Sequence, residues 1–471
     1  MSELIDSIKS MSAMELRDAQ RQDKVSVSEI ATAYLDRIDA VNPKINAIIS
    51  MRSRADILAE AEDMQNMGSH GPLHGLPIAI KDLRETKGIA TTYGSPIYKD
   101  NVPAKDCLLV ARLRAAGALI IGKTNTPEFG LGSHSYNPVH GVTVNPYDLT
   151  RSAGGSSGGA AAALAAGMLP IADGSDMMGS LRNPAGWNNV YGFRPSYGLV
   201  PDEPVGDSFL HQLSTSGPMA RTVKDLELIL QVIGVPDARL PHATNPFVGM
   251  GDKSIKGTKI GWIGDWDGYY PIEDGVLELC TDGLDTLSDL GCEVQPVTPP
   301  FAPDGIWQAW VTLRNFATAS SYANLFENPA TRDLLKPEML WEIERGLALS
   351  ARDVHDASLI SSQWFRTLAT MDVDMLALPS AQMFPFDAKL HWPKQVAGRK
   401  MDTYHRWMEV VVPASLIGLP ALCVPVGFGR GGLPMGLQLI GKRGCDAQVL
   451  RVGHVYHEIT QYPQKHPPVL A

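Results

Sequence analysis

Gly154-Gly155-Ser156-Ser157-Gly158-Gly159 lies in the N-terminal half of the chain, and a second glycine–serine pair, Gly179-Ser180, follows it. Upstream, the apolar segment Ile78-Ala79-Ile80 ends in Lys81. Glycine permits backbone conformations that are closed to other residues and lets another segment approach closely. Small hydroxyls on such a backbone, near an amine that can lose its proton, build a nucleophile without histidine. The pattern therefore predicts an acyl-transfer enzyme.

The composition is that of an ordinary globular protein. The 471 residues are 44% hydrophobic and 20% charged, which is typical of a chain that buries a core. The formal net charge is −10, without long runs of one sign. Nucleic-acid-binding proteins are more often basic with clustered Lys and Arg, so the composition argues against a nucleic-acid partner.

Three features predict a cytoplasmic protein. The five cysteines are scattered without a Cys-x-x-Cys pair, which favours reduced thiols over a disulfide framework or a zinc site. Residues 1–6 lack the basic segment and apolar core of a secretory signal. No apolar run approaches the roughly eighteen residues that a membrane-spanning helix needs, so we expect no membrane partner.

Short apolar strands alternate with helical patterns, which is typical of an α/β fold. A capping box at 26–29 opens a helix that we expect to end at Asn42-Pro43. We predict one domain over residues 1–471, with its core at about 25–240 and 370–460 and a mainly helical elaboration at about 300–370. The predicted strands are 76–81, 118–121, 169–172, 260–263, 293–297, 375–378, 421–426 and 435–440. The other predicted helices are 106–116, 158–166 and 276–290.

Two sequence patterns point to other kinds of enzyme. Residues 117–124 match the phosphate-loop pattern G-x-x-x-x-G-K-[ST], but their interior is strand-like and Pro127 follows where that motif needs a helix. The glycine–serine stretch also matches G-x-S-x-G, although the preceding segment 145–151 is turn-like where a nucleophile elbow needs a strand. Both interpretations are disfavoured, and no H-E-x-x-H or similar cluster predicts a metal site.

Together, the glycine–serine segments and their neighbours resemble the amidase signature family along nearly the whole chain, from about residue 35 to residue 454. The resemblance implies a large mixed twisted β-sheet covered on both faces by helices in one compact domain. It also implies hydrolysis of an amide or related carbon–nitrogen bond, with no cofactor or metal. The matching segments are 75–82, 122–128, 154–166, 173–176, 179–184, 192–196, 418–421 and 432–438.

The catalytic set of this family falls on three residues of the chain. By resemblance, Ser180 is the nucleophile, Ser156 follows a cis peptide bond and relays protons, and Lys81 is the ultimate base. A lysine held neutral by burial can accept a hydroxyl proton, because desolvation disfavours the charged amine. Ser156 can later hand that proton to the departing amine, which leaves badly unless it is protonated.

The resemblance places the oxyanion hole on the backbone amides of Met177, Met178, Gly179 and Ser180. Each such donor contributes about 3 kcal/mol to transition-state stabilisation. Met178 stands where the family commonly has a second glycine, so its side chain is expected to affect the acyl pocket. The surrounding segment 176–182 is similar to that of some bacterial arylamide- and carbamate-cleaving members.

Further residues are assigned around this set by resemblance. Ser157, Asp176 and Arg182 are expected beside the triad, where they hold the backbone and the lysine in place. The loop Gly130-Leu131-Gly132 matches a segment that lines the substrate pocket in relatives.

The substrate is expected to be a small, neutral and apolar amide that contains an aryl group, or a carbamate. Cleavage of a carbamate would yield an amine, an alcohol and carbon dioxide. The aromatic tract 384–386 and Trp392 are candidates for a further pocket wall, although aromatic clusters more often belong to a core. The oligomeric state stays open, with a homodimer as one arrangement.

Three other functions stay open at this point. The chain could be an amidase-like subunit that liberates ammonia from glutamine within a larger synthetase complex. It could be a non-catalytic binding protein on the same fold, in which Ser180 would not react with an acylating probe. The phosphate-loop match leaves a nucleotide-hydrolysing enzyme as the third.

Overall fold

The apolar segments of the sequence form strands in the computed structural model, which describes residues 8–68, 71–210 and 212–470. Most of the longer strands are buried on both faces, which explains why they read as continuous apolar runs. The strands are β1 (Ile48–Ile49), β2 (Pro77–Lys81), β3 (Leu119–Thr124), β4 (Tyr136–Asn137), β5 (Gly141–Val142), β6 (Val144–Asn145), β7 (Asp148–Ser152), β8 (Ile171–Asp176), β9 (Tyr191–Arg194), β10 (Thr215–Ala220), β11 (Lys259–Trp262), β12 (Glu293–Pro296), β13 (Met375–Pro379), β14 (Gln395–Val396), β15 (Arg399–Lys400), β16 (Ala421–Phe428) and β17 (Pro434–Gly441).

Several helices begin at a capping side chain, and the helix that starts at Val27 is an example. Ser26 accepts a hydrogen bond from the backbone of Glu29, and the Glu29 side chain accepts one from the backbone of Ser26. The α-helices are Ala13–Arg21, Val27–Ile45, Arg54–Met67, Leu108–Ala115, Gly158–Ala165, Asn183–Trp187, Val223–Ile233, Val276–Asp289, Pro303–Glu327, Pro329–Arg332, Pro337–Leu347, Ala351–Thr370, Val412–Leu416, Asp446–Thr460 and Tyr462–Lys465. Shorter 3-10 turns lie at Pro96–Tyr98, Glu128–Gly130 and Arg406–Val411.

Eight strands form the main sheet, in the order β12-β11-β13-β17-β16-β9-β10-β8. β11 pairs in parallel with β12 and β13, and the other neighbours pair antiparallel, so the sheet is mixed. A second sheet has the order β1-β3-β2. The backbone amide of Lys81 in β2 donates to Asp173 of β8 at 2.9 Å, which ties the small sheet to the edge of the large one.

Helices flank the sheets and bury their apolar sides in two large hydrophobic clusters. One cluster includes side chains from the helices 223–233, 276–289 and 303–327 together with most strands of the main sheet. The other joins the helices 27–45 and 158–165 to the small sheet. This mixed α/β architecture confirms the predicted fold class.

Two local predictions were wrong. The helix predicted to stop at Asn42-Pro43 continues to Ile45, because its last turn buries Ile45 completely and Asn46 then closes it in the left-handed conformation. The segment predicted to be turn-like contains β7, which forms a hairpin with β6 around a short turn. Only the turn between β6 and β7 therefore matches the expectation.

The region predicted to be a helical elaboration does contain helices, from Pro303 to Thr370. The domain boundaries themselves stay a prediction. Residues 1–6, on which the expectation of no secretory signal rests, lie outside the described residues. Within the described part of the chain, no helix combines the length and apolarity needed to cross a membrane.

Candidate active site

Lys81 lies at the end of β2, where its side chain is completely buried. Its Nζ atom lies 2.8 Å from the hydroxyl of Ser156, 2.8 Å from that of Ser157 and 3.1 Å from that of Ser175. Burial lowers the pKa of Lys81 to about 7, although the nearby carboxylate of Asp173 opposes this shift. Near neutral pH a large share of this amine is therefore unprotonated and able to accept a proton.

Ser156 reaches Lys81 because the backbone before it is glycine. The peptide bond between Gly155 and Ser156 is cis, in agreement with the resemblance. A Cβ atom on Gly155 would lie 2.9 Å from the backbone nitrogen of His134, so only glycine fits this close approach. The sequence thereby places the Ser156 hydroxyl between the amine and an open cavity.

A histidine outside the predicted set holds this loop. The His134 Nε2 atom lies 3.1 Å from the carbonyl oxygen of Ala388, and Nδ1 lies 2.7 Å from the Ser152 hydroxyl. Ser152 in turn accepts a hydrogen bond from the backbone amide of Gly154. Because a carbonyl only accepts, Nε2 carries the proton and Nδ1 accepts from Ser152. His134 thus anchors the backbone that leads to Ser156.

Ser180 follows β8 on a short loop and lines the same cavity as Ser156. Its hydroxyl makes no hydrogen bond to another described residue, and the same holds for the backbone amides of Met177, Met178 and Ser180. The amide of Gly179 is different, because it donates to the carboxylate of Asp176 at 2.9 Å. Of the predicted oxyanion donors, those of Met177, Met178 and Ser180 are therefore the free ones in the described part of this structure.

Asp176 connects the Ser180 loop to two buried arginines. Its carboxylate lies 3.0 Å from Arg182 Nε and 3.0 Å from Arg194 Nη1, and all three side chains are fully buried. Asp176 also accepts a hydrogen bond from the backbone of Leu181. Burial opposes ionisation of Asp176, but the two guanidinium groups hold its pKa below the ordinary value. The Ser180 loop is therefore held by a buried network of charges, and a movement of the loop that separated these charges would be energetically unfavourable.

A cavity of about 230 Å³ opens beside the two serines. The predicted loop Gly130-Leu131-Gly132 lines it, as do Met177 and Met178. Tyr93, Phe129 and Tyr322 supply an aromatic wall. Besides several serines, the polar part of the lining includes Arg84, Asp202, Arg314, Thr318 and His405.

The tract 384–386 and Trp392, which were candidates for a pocket wall, do not line this cavity, in keeping with the expectation that aromatic clusters more often belong to a core. Phe386 packs in the core against Trp187 and Trp407, with ring centroids 5.7 Å and 5.3 Å away. Phe384 contacts Gly429, and Trp392 lies beside a separate, much smaller cavity. These aromatic residues are thus part of the packing around the site and do not line the cavity of Ser180.

Sequence reasoning also missed the contribution of the helix Pro303–Glu327. Arg314, Ala317, Thr318, Ser321 and Tyr322 all line the cavity. Their spacing puts them on one face of the helix, a signal that was present in the sequence. The sequence alone does not say what that face meets.

The phosphate-loop interpretation is excluded by the geometry of its lysine. Residues 119–124 form β3, whose amides serve the sheet, and Lys123 is fully buried. Its Nζ atom donates to the Arg84 carbonyl oxygen and to the hydroxyls of Thr86 and Thr91. The backbone therefore offers no cradle for a phosphate at this position.

The site thus combines an α/β fold with a buried lysine that contacts serine hydroxyls beside a cavity. A family model described as Amidase matches residues 29–450, and the chain belongs to this family. It is therefore a hydrolase that acts on carbon–nitrogen bonds, as predicted.

Individual relatives cover almost the whole chain. An acylamidase from Rhodococcus erythropolis is 33% identical, with 97% of each protein covered. One of the subunits of the glutamyl-tRNA(Gln) amidotransferase of a Cyanothece species is also 33% identical, and the match covers 94% of this chain and 96% of the relative. The crystal structure of a bacterial aryl acylamidase of the amidase signature family matches with a TM-score of 0.90 at 25% identity, covering 98% of this chain and 99% of the other.

Proposed function

We propose that the protein hydrolyses small, neutral amides through an acyl-enzyme on Ser180, with Ser156 as proton relay and Lys81 as base. The observation that carries this proposal is the 2.8 Å contact between the buried Lys81 amine and the Ser156 hydroxyl, at a cavity that Ser180 also lines. A hydroxyl becomes a competent nucleophile when a neighbouring base takes its proton during attack.

In the acylation step, Ser180 Oγ attacks the substrate carbonyl carbon while its proton passes to Ser156, whose own proton passes to Lys81. The oxyanion that forms is stabilised by the free amides of Met177, Met178 and Ser180. The proton then returns through Ser156 to the departing nitrogen, and the carbon–nitrogen bond breaks. Water hydrolyses the acyl-enzyme by the same proton path in reverse.

Three further residues support this machinery without taking part in the chemistry. Ser157 lies 2.8 Å from the Lys81 amine and helps to orient it. Asp176 and Arg182 fix the loop that carries Ser180. The Gly179 amide donates to Asp176 and so helps to hold the same loop. In this proposal it can donate to the oxyanion only if it gives up that hydrogen bond.

The cavity favours a substrate with an aromatic or apolar part. Its wall of Tyr93, Phe129 and Tyr322 offers edges and faces for a ring, and the loop Gly130-Leu131-Gly132 forms the adjacent side. Similarity to acylamidases in both sequence and structure supports aryl and acyl amides. A carbamate fits the same chemistry: departure of its amine leaves an alkoxycarbonyl group on Ser180, and water releases a carbonic acid monoester that breaks down to the alcohol and carbon dioxide.

The main alternative is one subunit of a glutamine-dependent amidotransferase, which the relatives of that name favour. A pure chain that releases ammonia from glutamine only when a partner protein is added would support this alternative. Hydrolysis of anilides by the pure chain would support our proposal. We further propose a cytoplasmic location, consistent with five free cysteines. Light scattering would show whether the protein forms a homodimer.

The decisive experiment is fluorophosphonate labelling with the adduct mapped by mass spectrometry. The native protein should carry the adduct on Ser180, and Lys81→Ala should label far more slowly because the proton has no acceptor. Lys105→Ala, which removes an exposed lysine, is the matched control and should label like the native protein. Ser180→Ala should lose all turnover of anilides while it keeps its fold. Full activity of Lys81→Ala or Ser180→Ala would refute the triad.

A further inference from the structure

Part of the cavity lining is polar and includes Arg314 on the helix Pro303–Glu327. Arg314 lines the cavity although only 4% of its surface is exposed. Its Nε atom donates to Glu342 at 2.7 Å and Nη2 donates to the Tyr404 hydroxyl at 2.9 Å. Nη1 faces the Met177 sulfur at 3.2 Å, and a thioether is only a weak acceptor. Part of this buried guanidinium therefore lacks a strong acceptor among the described residues.

The charge of Arg314 is already balanced inside the protein. Glu342 is completely buried, and its second oxygen accepts a hydrogen bond from Thr318 at 2.7 Å. The Arg314 guanidinium holds the pKa of Glu342 below its ordinary value, against the effect of burial, so Glu342 is a carboxylate. The pair is thus neutral overall, while Arg314 still offers N–H groups to the cavity.

His405 adds a second unsatisfied group close to Arg314, because its ring stacks on Tyr404, the partner of Arg314. It lines the cavity, is 1% exposed, and its Nδ1 atom lies 2.8 Å from the Thr403 hydroxyl. Its Nε2 atom is buried without a hydrogen-bond partner in the described parts of the chain. Burial lowers the pKa of His405 to about 3, helped by the charge of Arg314, so the ring is neutral.

We propose that this polar part of the lining, formed by Arg314 and His405, binds a neutral hydrogen-bond acceptor of the substrate, such as a ketone, ether or amide oxygen, and selects against a carboxylate. The inference rests on the proposed function and names its preferred substrates more closely. A neutral oxygen satisfies Arg314 without adding charge. A carboxylate would bring a net negative charge into a buried site whose own charges already cancel, and desolvation of that charge opposes binding.

The test measures binding to Ser180→Ala protein, so that turnover does not interfere. Two matched series place the acceptor on either side of the scissile bond. The acyl series is pentananilide, 4-oxopentananilide and succinanilic acid. The amine series is N-(4-ethylphenyl)acetamide, N-(4-acetylphenyl)acetamide and 4-acetamidobenzoic acid. In one of the series the ketone should bind about tenfold more tightly than its alkyl match, and the acid should bind more weakly than the ketone.

Variants of the Arg314–Glu342 ion pair test whether charge compensation causes the preference for a neutral acceptor. Glu342→Gln leaves Arg314 uncompensated, so the acid should gain about tenfold or more in affinity relative to the ketone. Replacing both partners, Arg314→Met with Glu342→Gln, should remove the advantage of the ketone over the alkyl compound. Glu344→Gln is the matched control: it lies on the same helix as Glu342 and breaks a surface pair with Arg332, so the preference should stay unchanged. Circular dichroism and thermal midpoints check that each variant is folded.

The outcomes separate this inference from the proposed function. If the alkyl compound and the ketone bind equally in both series, or if the acid binds best with Glu342 intact, the inference is wrong while the hydrolase assignment stands. If Glu342→Gln does not favour the acid, charge compensation is not the cause. If no compound binds and the native protein is not labelled by fluorophosphonate, the proposed function itself fails.

Discussion

At the scale of single residues, the site depends on a lysine whose charge the fold suppresses. Burial among hydroxyl groups lowers the pKa of Lys81, and the carboxylates of Asp173 and Asp176 favour its charged form. Arg84 acts in the other direction, because a second positive charge disfavours protonation of the amine. Together these effects bring the pKa of Lys81, the proton acceptor, close to neutral pH.

This balance predicts the pH dependence of turnover. The active form of Lys81 is the neutral amine, so kcat/KM should rise with pH and level off above the pKa of about 7. Arg84→Met removes a charge that lowers this pKa, so the rise should move to higher pH. The measurement is kcat/KM for an anilide between pH 5 and 9, and an unshifted profile in Arg84→Met would contradict the electrostatic argument.

A second prediction concerns Asp176. Asp176→Asn leaves Arg182 and Arg194 buried without their counter-charge, so the free energy of unfolding should fall by about 3–5 kcal/mol. Labelling of Ser180 should slow as well, because the loop loses its anchor. The control is Asp372→Asn, which breaks an exposed pair with Lys259 and should leave the thermal midpoint nearly unchanged.

At the scale of elements, the sequence predicted most long strands but missed the helices Ala13–Arg21, Arg54–Met67, Val223–Ile233 and Asp446–Thr460, and it did not predict the arrangement of the elements. The runs at 375–378, 421–426 and 435–440 all became strands, because continuous apolar stretches of that length are typical of buried strands. β9 and β10 were missed, since glycine and proline interrupt them and their neighbours supply the pairing. Order within the sheet depends on long-range contacts that no local pattern records.

The same limit applies to the site. Lys81, Ser156 and Ser180 lie in glycine-rich motifs, so local sequence and resemblance located them. Arg314 lies in the helix Pro303–Glu327 and His405 lies just before the 3-10 segment Arg406–Val411, and both line the cavity although no local motif marks them. Residues that define a substrate pocket are therefore harder to predict than those that carry the reaction.

The helix Gly158–Ala165 offers a test at this scale, because its glycine content serves close packing. A Cβ atom on Gly159 would lie 2.4 Å from the backbone nitrogen of Asn125 and 2.6 Å from the carbonyl oxygen of Ala47. Gly159→Ala should therefore shift the helix that follows Ser156, destabilise the protein by roughly 1–3 kcal/mol and slow labelling of Ser180.

The matched control is another helical glycine. Gly305 has only ordinary contacts near its Cβ position, at 3.9 Å and 4.0 Å, so Gly305→Ala should keep labelling and stabilise the helix by up to about 1 kcal/mol. Thermal midpoints and labelling rates of both variants decide the matter. Equal behaviour of the two would show that close packing at Gly159 is not what positions the loop.

At the scale of the whole molecule, the helical stretch 303–370 is part of the core and also part of the site. Trp310 and Trp364 are completely buried, and the Trp364 indole donates to the Pro413 carbonyl oxygen at 2.9 Å. The same stretch supplies Arg314 and Tyr322 to the cavity. The elaboration predicted from the sequence is thus inseparable from the sheet in its packing, which leads us to expect cooperative unfolding.

Trp364→Phe tests this expectation. The substitution leaves the Pro413 carbonyl without its donor and opens a small space against Trp266 and Phe301, so stability should fall by roughly 1–3 kcal/mol. If helices and sheet unfold as one unit, the midpoints seen by far-ultraviolet circular dichroism and by loss of Ser180 labelling should coincide in both proteins and shift together. Two separated transitions, with labelling lost before the bulk of the secondary structure, would instead assign residues 303–370 to a unit that unfolds independently of the sheet.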